Sequence, residues 1–165
     1  MLINIFDNQL YKSKNTFGNI VLSNIAANNI ELSNINGCFV SPLNENFKVN
    51  DWFQLYRENI DEMKQEFGIS GKPILHDMWC YCYNKEVALA KHNHGDNKFI
   101  GIHYLKYNKM IHYPTRFYQD SGEKYTDLDV DENDIIIFPS HIYHEARANE
   151  AIEQRMVVAF SYYFK

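Results

Sequence analysis

From Lys72 to the C terminus, the chain is a series of short apolar and aromatic segments separated by turn-forming residues. The segments are Pro73–Tyr83, Val87–His94, Phe99–Tyr107, Met110–Tyr118, Ile135–Phe138, Ile142–Ala146 and Arg155–Phe164. β-Branched and aromatic residues favour strands, and the Gly, Pro, Asn and Asp between them favour turns. Closely spaced short strands are typical of an antiparallel sandwich or barrel. The sequence therefore predicts a mainly β fold here, with a polar loop at Gln119–Asn133.

One amphipathic helix is predicted before these strands, at residues 51–67. Its apolar residues recur at the spacing of a single helix face: Trp52, Leu55, Tyr56, Ile60, Met63 and Phe67. Asp51 with Gln54 fits a capping box at the helix start, and Gly68 fits the left-handed residue that ends many helices. We expect this helix to pack on one face of the β-sandwich. The preceding residues contain only short extended pieces: Met1–Phe6, Ile20–Leu22 and Cys38–Val40.

The length of 165 residues suits one domain with a sizeable core. We expect residues 1–165 to form a single domain, in which residues 1–71 supply wrapping segments and the helix, and residues 72–165 supply the β core. The formal net charge is −5, and Lys and Arg are scattered along the chain. This distribution predicts no nucleic-acid partner and no membrane partner.

The expected compartment is the cytoplasm. The three cysteines, Cys38, Cys80 and Cys82, are an odd number without the spacing of a disulfide framework, which is typical of a reducing compartment. The first ten residues lack the pattern of a secretory signal.

The candidate functional residues begin with two histidines in one predicted strand, His92 and His94. Residues two apart in a strand point to the same side of the sheet, and neutral imidazole is the commonest metal ligand. Asp96 shares that face, but in a regular strand it lies roughly 13 Å from position 92. One ion can therefore bind either His92 with His94, or His94 with Asp96. His144, which follows the apolar strand Ile135–Phe138, is the candidate third ligand.

Arg155 begins an otherwise apolar predicted strand shortly after His144. A buried cation is costly unless an anion neutralises it. Two anionic partners for the Arg155 guanidinium fit the sequence. One is Glu150 or Glu153 in a salt bridge, and the other is the carboxylate of a ligand held bidentately.

Taken in order, these residues resemble the iron(II)/2-oxoglutarate-dependent dioxygenases, particularly the small prolyl-4-hydroxylase-like group. In that family a His-x-Asp/Glu pair, a distal His, and an Arg or Lys shortly after it recur on a double-stranded β-helix, or jelly roll. The matching stretches are Trp79, His92-Asn93-His94, Gly101–Leu105, Phe138–Ala146 and Arg155–Val158. They cover roughly residues 73–164. The resemblance implies a jelly-roll core at residues 72–165, flanked by the predicted helix.

The resemblance also implies Fe(II) and 2-oxoglutarate as cofactors. The implied reaction decarboxylates 2-oxoglutarate to succinate and CO₂ and hydroxylates a small-molecule or peptide substrate, with no catalytic residue beyond the metal centre. The family spacing favours His92, His94 and His144 as metal ligands, with Asp96 in place of His92 as the alternative. His94 then occupies the position where the family has a carboxylate. Arg155 and Tyr104 would bind the distal carboxylate of 2-oxoglutarate.

Two other functions fit the same residues. A cupin-like metalloenzyme can use a three-histidine site without 2-oxoglutarate, although such a site has no need of a carboxylate-binding Arg155. The second function is that of a non-catalytic jelly-roll binding module, in which His92 and His94 are simply exposed. Metal content of the purified protein separates the second alternative from the two enzymes.

Overall fold

The computed structural model describes residues 1–27, 33–35, 38–42, 49–120 and 122–165. The helices in these ranges are α1 (Gly18–Ala27), α2 (Val49–Gln54) and α3 (Arg57–Phe67). The strands are β1 (Leu2–Ile5), β2 (Asn8–Lys14), β3 (Ser33–Ile35), β4 (Cys38–Pro42), β5 (Pro73–Tyr83), β6 (Leu89–His92), β7 (Phe99–Lys106), β8 (Thr115–Tyr118), β9 (Tyr125–Asp127), β10 (Asp134–Pro139), β11 (His144–Ala146) and β12 (Arg155–Phe164). The prediction of a mainly β chain is confirmed.

The described strands form two antiparallel sheets that face each other as a jelly roll. The larger sheet has the order β1-β2-β10-β7-β12-β5-β4-β3, and the smaller has the order β6-β11-β8-β9. Strand β12 lies inside the larger sheet and pairs along most of its length with β5 on one side and β7 on the other. The predicted jelly roll with a flanking helical layer is therefore confirmed.

The central strands of the larger sheet are buried on both faces. In β12, Met156 and Val158 belong to the core layer shared with the helices, whereas Arg155 and Val157 face the pocket between the two sheets. This follows from the alternation of side chains along a strand. A strand covered on both faces needs apolar residues at nearly every position, which explains the almost continuous apolar runs of β10 and β12.

The predicted helix at residues 51–67 is two helices. The first, α2, ends with two hydrogen bonds between residues three apart. The N–H of Leu55 donates to the carbonyl of Trp52 (3.0 Å), and the N–H of Tyr56 donates to the carbonyl of Phe53 (3.1 Å). The side chain of Asn15 then donates to the Leu55 carbonyl (3.0 Å). In a continuous helix the Leu55 carbonyl would accept a hydrogen bond from the N–H four residues later. Here it accepts one from the distant Asn15 side chain instead. The apolar spacing runs through the break unchanged, so periodicity alone could not predict it.

The helix ends and the short polar strands show further differences from the predictions. Asp51 lies inside α2 and not at its start, so the capping box is wrong, whereas Gly68 ends α3 in the left-handed conformation (φ 65°) as predicted. Ile20–Leu22, predicted to be extended, belongs to α1. The predicted loop Gln119–Asn133 contains β9.

Strand β2 was not predicted, because its sequence NQLYKSK is largely polar. It is held beside β10 by antiparallel backbone pairing and by ion pairs from Lys12 (2.9 Å) and Lys14 (2.8 Å) to the buried Asp134. Pairing to a strand far along the chain decides its conformation here. Among the described helices, none is long and apolar enough to span a membrane.

Candidate metal centre and co-substrate pocket

The side chains of His92, His94 and His144 meet in the pocket between the sheets. His144 on β11 is paired directly with His92 at the end of β6. The ring centres lie 4.4 Å apart for His92 and His144, 5.0 Å for His92 and His94, and 5.2 Å for His94 and His144. One ring nitrogen from each lies within 4.8 Å of the others. Within the described residues, no other group of three or more His, Cys, Asp or Glu side chains is arranged to hold one ion.

Two of these rings are oriented by nearby main-chain carbonyl groups, one in β6 and one in the turn before β11. The Nδ1 of His92 lies 2.7 Å from the carbonyl oxygen of Ala90, and the Nδ1 of His144 lies 3.0 Å from that of Ile142. Each contact fits an Nδ1–H that donates to the carbonyl, which leaves the lone pair on Nε2. Metal-bound histidines commonly donate their second ring N–H in this way. The donor set therefore fits a metal ion.

The protonation state also fits metal binding. Burial, together with a smaller effect of the neighbouring His92, lowers the pKa of His94 to about 4 and that of His144 to about 3. Both rings are therefore neutral at pH 7. Neutral imidazole is the form that binds metals, because a protonated ring has no lone pair to offer.

Asp96 lies outside this group. Strand β6 ends at His92, and the chain after His94 turns through Gly95 (φ 74°) and Asn97 (φ 65°). Asp96 is exposed on this turn. A regular strand through position 96, on which the alternative ligand pair was based, does not exist. The geometry favours His92 as the neighbour of His94, and the ligand role itself stays a prediction.

Arg155 lines the same pocket, with 2% of its surface exposed. Its Nη2 donates to the carbonyl of Arg147 (3.1 Å), and its Nη1 donates to the carbonyl of Tyr113. The guanidinium lies 4.3 Å from the centre of the Tyr83 ring. These contacts hold a buried positive charge at a defined place in the pocket. Glu150, one of the predicted salt-bridge partners, is exposed and accepts a bond from the Tyr113 hydroxyl (3.1 Å).

Tyr104 is close to this charge and forms a buried pair with Thr115. Its hydroxyl donates to Thr115 Oγ1 (2.9 Å) and accepts from the Thr115 N–H (3.2 Å). Burial raises the pKa of Tyr104, against a smaller opposite effect of Arg155, so its hydroxyl remains a donor at neutral pH. Sequence reasoning missed Thr115. The sequence feature that could have identified Thr115 is a hydroxyl side chain two residues before the buried Phe117, which places it on the same inward face of β8.

The rest of the pocket lining is mostly apolar and aromatic. It includes Trp79, Tyr81, Leu89, Ile100, Ile102, Val157 and Ala159. Such a lining excludes water and strengthens the attraction between opposite charges inside it. The pocket thus combines a candidate metal-binding group, a buried cation and a largely apolar lining.

No protein-family model matches the sequence, and no curated protein sequence matches it. Solved structures do match the fold. A 2OG-Fe(II) oxygenase family oxidoreductase from Burkholderia pseudomallei aligns with a TM-score of 0.74 and 12% identity, over 93% of this chain and 84% of that one. HygX from Streptomyces hygroscopicus, with nickel and 2-oxoglutarate bound, aligns with a TM-score of 0.72 and 13% identity, over 94% and 83%.

A Pseudomonas putida prolyl-4-hydroxylase aligns with a TM-score of 0.66 and 11% identity, over 96% of this chain and 94% of that chain. At such low identity the likeness concerns the fold. The predicted resemblance to 2-oxoglutarate oxygenases is confirmed at that level, and the chain has the jelly roll that these proteins share.

Proposed function

We propose that this protein is an iron(II)- and 2-oxoglutarate-dependent oxygenase, a hydroxylase whose substrate is not identified. The observation that carries the proposal is that one pocket contains both a group of three histidines and the buried guanidinium of Arg155. 2-Oxoglutarate has a metal-chelating 2-oxo acid at one end and a carboxylate at the other. The pocket therefore offers a partner for each end of this co-substrate.

In this proposal His92, His94 and His144 hold the iron, with Asp96 left in solvent. Arg155 pairs with the distal carboxylate of 2-oxoglutarate. The Tyr104 hydroxyl would redirect its single proton from Thr115 Oγ1 to the same carboxylate, while it still accepts from the Thr115 N–H. The bound iron supplies the oxygen chemistry. The protein's own residues bind and orient the co-substrate and keep water out, and we assign no further catalytic residue.

The structural neighbours support these cofactors. HygX structures have been solved with iron, with nickel and 2-oxoglutarate, and with hygromycin B as well. A prolyl hydroxylase from Trichoplax adhaerens has been solved with a peptide fragment. We extend the cofactors to this chain, and we propose a small molecule or a peptide as its substrate.

We further propose that residues 1–165 act as one domain and that the protein works in the cytoplasm, without a nucleic-acid or membrane partner. Cys80 and Cys82 are buried and not joined in a disulfide, which fits a reducing compartment. The side chain of Cys38 lies outside the described part of the chain.

One observation favours the cupin-like alternative, a metalloenzyme that does not use 2-oxoglutarate. The metal group consists of three histidines, whereas the facial triad of non-haem iron oxygenases usually includes a carboxylate. Arg155 argues against this alternative, because such an enzyme has no reason to bury a cation in the same pocket.

Titration of the purified protein under anaerobic conditions tests the proposal. We expect one equivalent of Fe(II), metal-dependent binding of 2-oxoglutarate, and slow conversion of 2-oxoglutarate to succinate in air without added substrate. Iron binding without 2-oxoglutarate binding would overturn the proposal in favour of the cupin-like enzyme. A protein that binds no metal would be a non-catalytic module.

A further inference from the structure

Ser140 lies between the two segments that carry His94 and His144, and only 1% of its surface is exposed. All of its polar groups bond to the turn from His94 to Lys98. Its N–H donates to the carbonyl of Lys98 (3.0 Å), and its carbonyl accepts from the N–H of His94 (2.9 Å). Its hydroxyl donates to the carbonyl of Gly95 (2.7 Å) and accepts from the N–H of Lys98 (3.2 Å).

The turn from His94 to Lys98 needs such support. Asn97 has a positive φ of 65°, a left-handed conformation that costs most residues with a side chain roughly 1–2 kcal/mol and Asn less. The local bond from the Gly95 N–H to the Asn93 side chain is long, at 3.3 Å. The Ser140 hydroxyl spans the turn from Gly95 to Lys98 and so fixes both of its ends.

The same residue is also tied to the other ligand segment. After Ser140 the chain turns through a bond from the Ile142 N–H to the Pro139 carbonyl (3.1 Å), and the Ile142 carbonyl then contacts His144 Nδ1 (3.0 Å). The position of His94 relative to His144 is therefore set through Ser140, because β6 has already ended at His92.

We propose that Ser140 is a positioning residue of the metal centre. Its hydroxyl fixes the turn so that His94 faces His92 and His144 before any metal binds. The inference rests on the proposed metal site, but not on the identity of the co-substrate. Groups that orient metal ligands are worth about 10- to 100-fold in metal affinity when they are removed. Ser140→Ala removes the hydroxyl bonds and keeps both backbone bonds.

The test uses Co(II), whose visible absorption reports the number and geometry of its ligands. We expect wild type to bind one equivalent, and Ser140→Ala to bind it about 10- to 100-fold more weakly with an altered spectrum. Ser140→Thr, which keeps a hydroxyl, should recover much of the affinity. If Ser140→Ala fails to fold, the near-isosteric Ser140→Cys takes its place, with a weaker expected loss.

Ser13→Ala is the matched control, because the Ser13 hydroxyl accepts a bond from Asn59 (2.8 Å) far from the histidines. It should lower thermal stability and leave Co(II) binding unchanged. Wild-type affinity and spectrum in a folded Ser140→Ala or Ser140→Cys protein would overturn the inference. A wild-type protein that binds no Co(II) would overturn the proposed metal site as well.

Discussion

At the scale of single residues, the metal proposal depends on which side chains reach the ion. His94→Ala or His144→Ala leaves two of the three ring nitrogens that lie within 4.8 Å of one another. We expect either variant to lose stoichiometric iron, as measured by metal analysis after anaerobic loading and desalting. A full equivalent of iron in His144→Ala would place the site elsewhere.

The matched pair His92→Ala and Asp96→Ala separates the two ligand sets. His92 faces the other rings, whereas Asp96 is exposed on the turn. Iron affinity should therefore fall sharply in His92→Ala and stay close to wild type in Asp96→Ala. Small and equal losses in both variants would contradict the three-histidine set.

Arg155 is the residue that distinguishes the proposed oxygenase from a cupin-like enzyme. Removing one partner of a buried charge pair costs roughly 2–5 kcal/mol, so Arg155→Ala should weaken 2-oxoglutarate binding about 30- to 3,000-fold. Arg155→Lys should recover only part of the lost affinity for 2-oxoglutarate, because an ammonium cannot form the two parallel hydrogen bonds of a guanidinium. Iron binding should hardly change. Isothermal titration with Fe(II) and, separately, with 2-oxoglutarate measures both affinities. Unchanged affinity for 2-oxoglutarate in Arg155→Ala would contradict the assignment.

At the scale of elements, the contact between β7 and β12 leaves no room for a side chain at Gly101. A Cβ built at this position lies 2.2 Å from the tip of the Phe160 ring, which is fully buried. Gly101→Ala must displace the ring and should lower the free energy of unfolding by about 1–3 kcal/mol. Urea unfolding of Gly101→Ala, Phe160→Leu and the double variant should show strong coupling, since the smaller Leu relieves the clash. Additive losses would contradict this explanation.

The elements that the sequence predicted well are those that packing on both faces makes apolar. β5 and β12 have the predicted bounds, Pro73–Tyr83 and Arg155–Phe164, because nearly every position in them is selected for burial or pairing. β2 and the break between α2 and α3 were missed because both depend on partners distant in sequence. The pairing of β2 with β10 and the bond from Asn15 to Leu55 leave no local pattern.

The site shows the same division. That the histidines and Arg155 would come together in one pocket was predictable, since such residue types are unusual in strands. Their roles as ligands stay predictions. Thr115 and Ser140 were not predictable, because their roles come from hydrogen bonds to Tyr104 and to the turn after His94. Serine and threonine are common in loops, so their residue type alone carries no comparable signal.

At the scale of the whole molecule, the larger sheet separates two layers with different tasks. Its inner face and the smaller sheet enclose the pocket, and its outer face packs against the helices. The imidazole of His103, on β7, is fully buried on the helix side. Its Nδ1 lies 3.1 Å from the Tyr56 hydroxyl, between α2 and α3. Burial raises the pKa of Tyr56, so this hydroxyl stays protonated and can donate to the Nδ1 of a neutral His103.

His103 should make the stability of the whole fold depend on pH. Burial lowers its pKa from 6.5 to about 4, so between these values the unfolded chain takes up a proton that the folded protein does not. The free energy of unfolding is then highest above pH 6.5 and falls as the pH drops towards 4, by up to ~1.4 kcal/mol per pH unit from this residue. His94 and His144 titrate in the same direction, so the informative quantity is a difference between proteins.

His103→Gln keeps an acceptor for the Tyr56 hydroxyl and cannot be protonated in this range. The variant loses ring packing, and its unfolding free energy at pH 7 should be lower than that of wild type. Below pH 6.5, however, its unfolding free energy should fall less steeply, and the two curves should converge as the pH approaches 4. Urea unfolding at half-unit pH intervals measures both curves on metal-free protein, which removes any contribution of bound iron. Parallel curves would mean that His103 is protonated equally in the folded and unfolded chains, and that the acid sensitivity of the molecule arises from other groups.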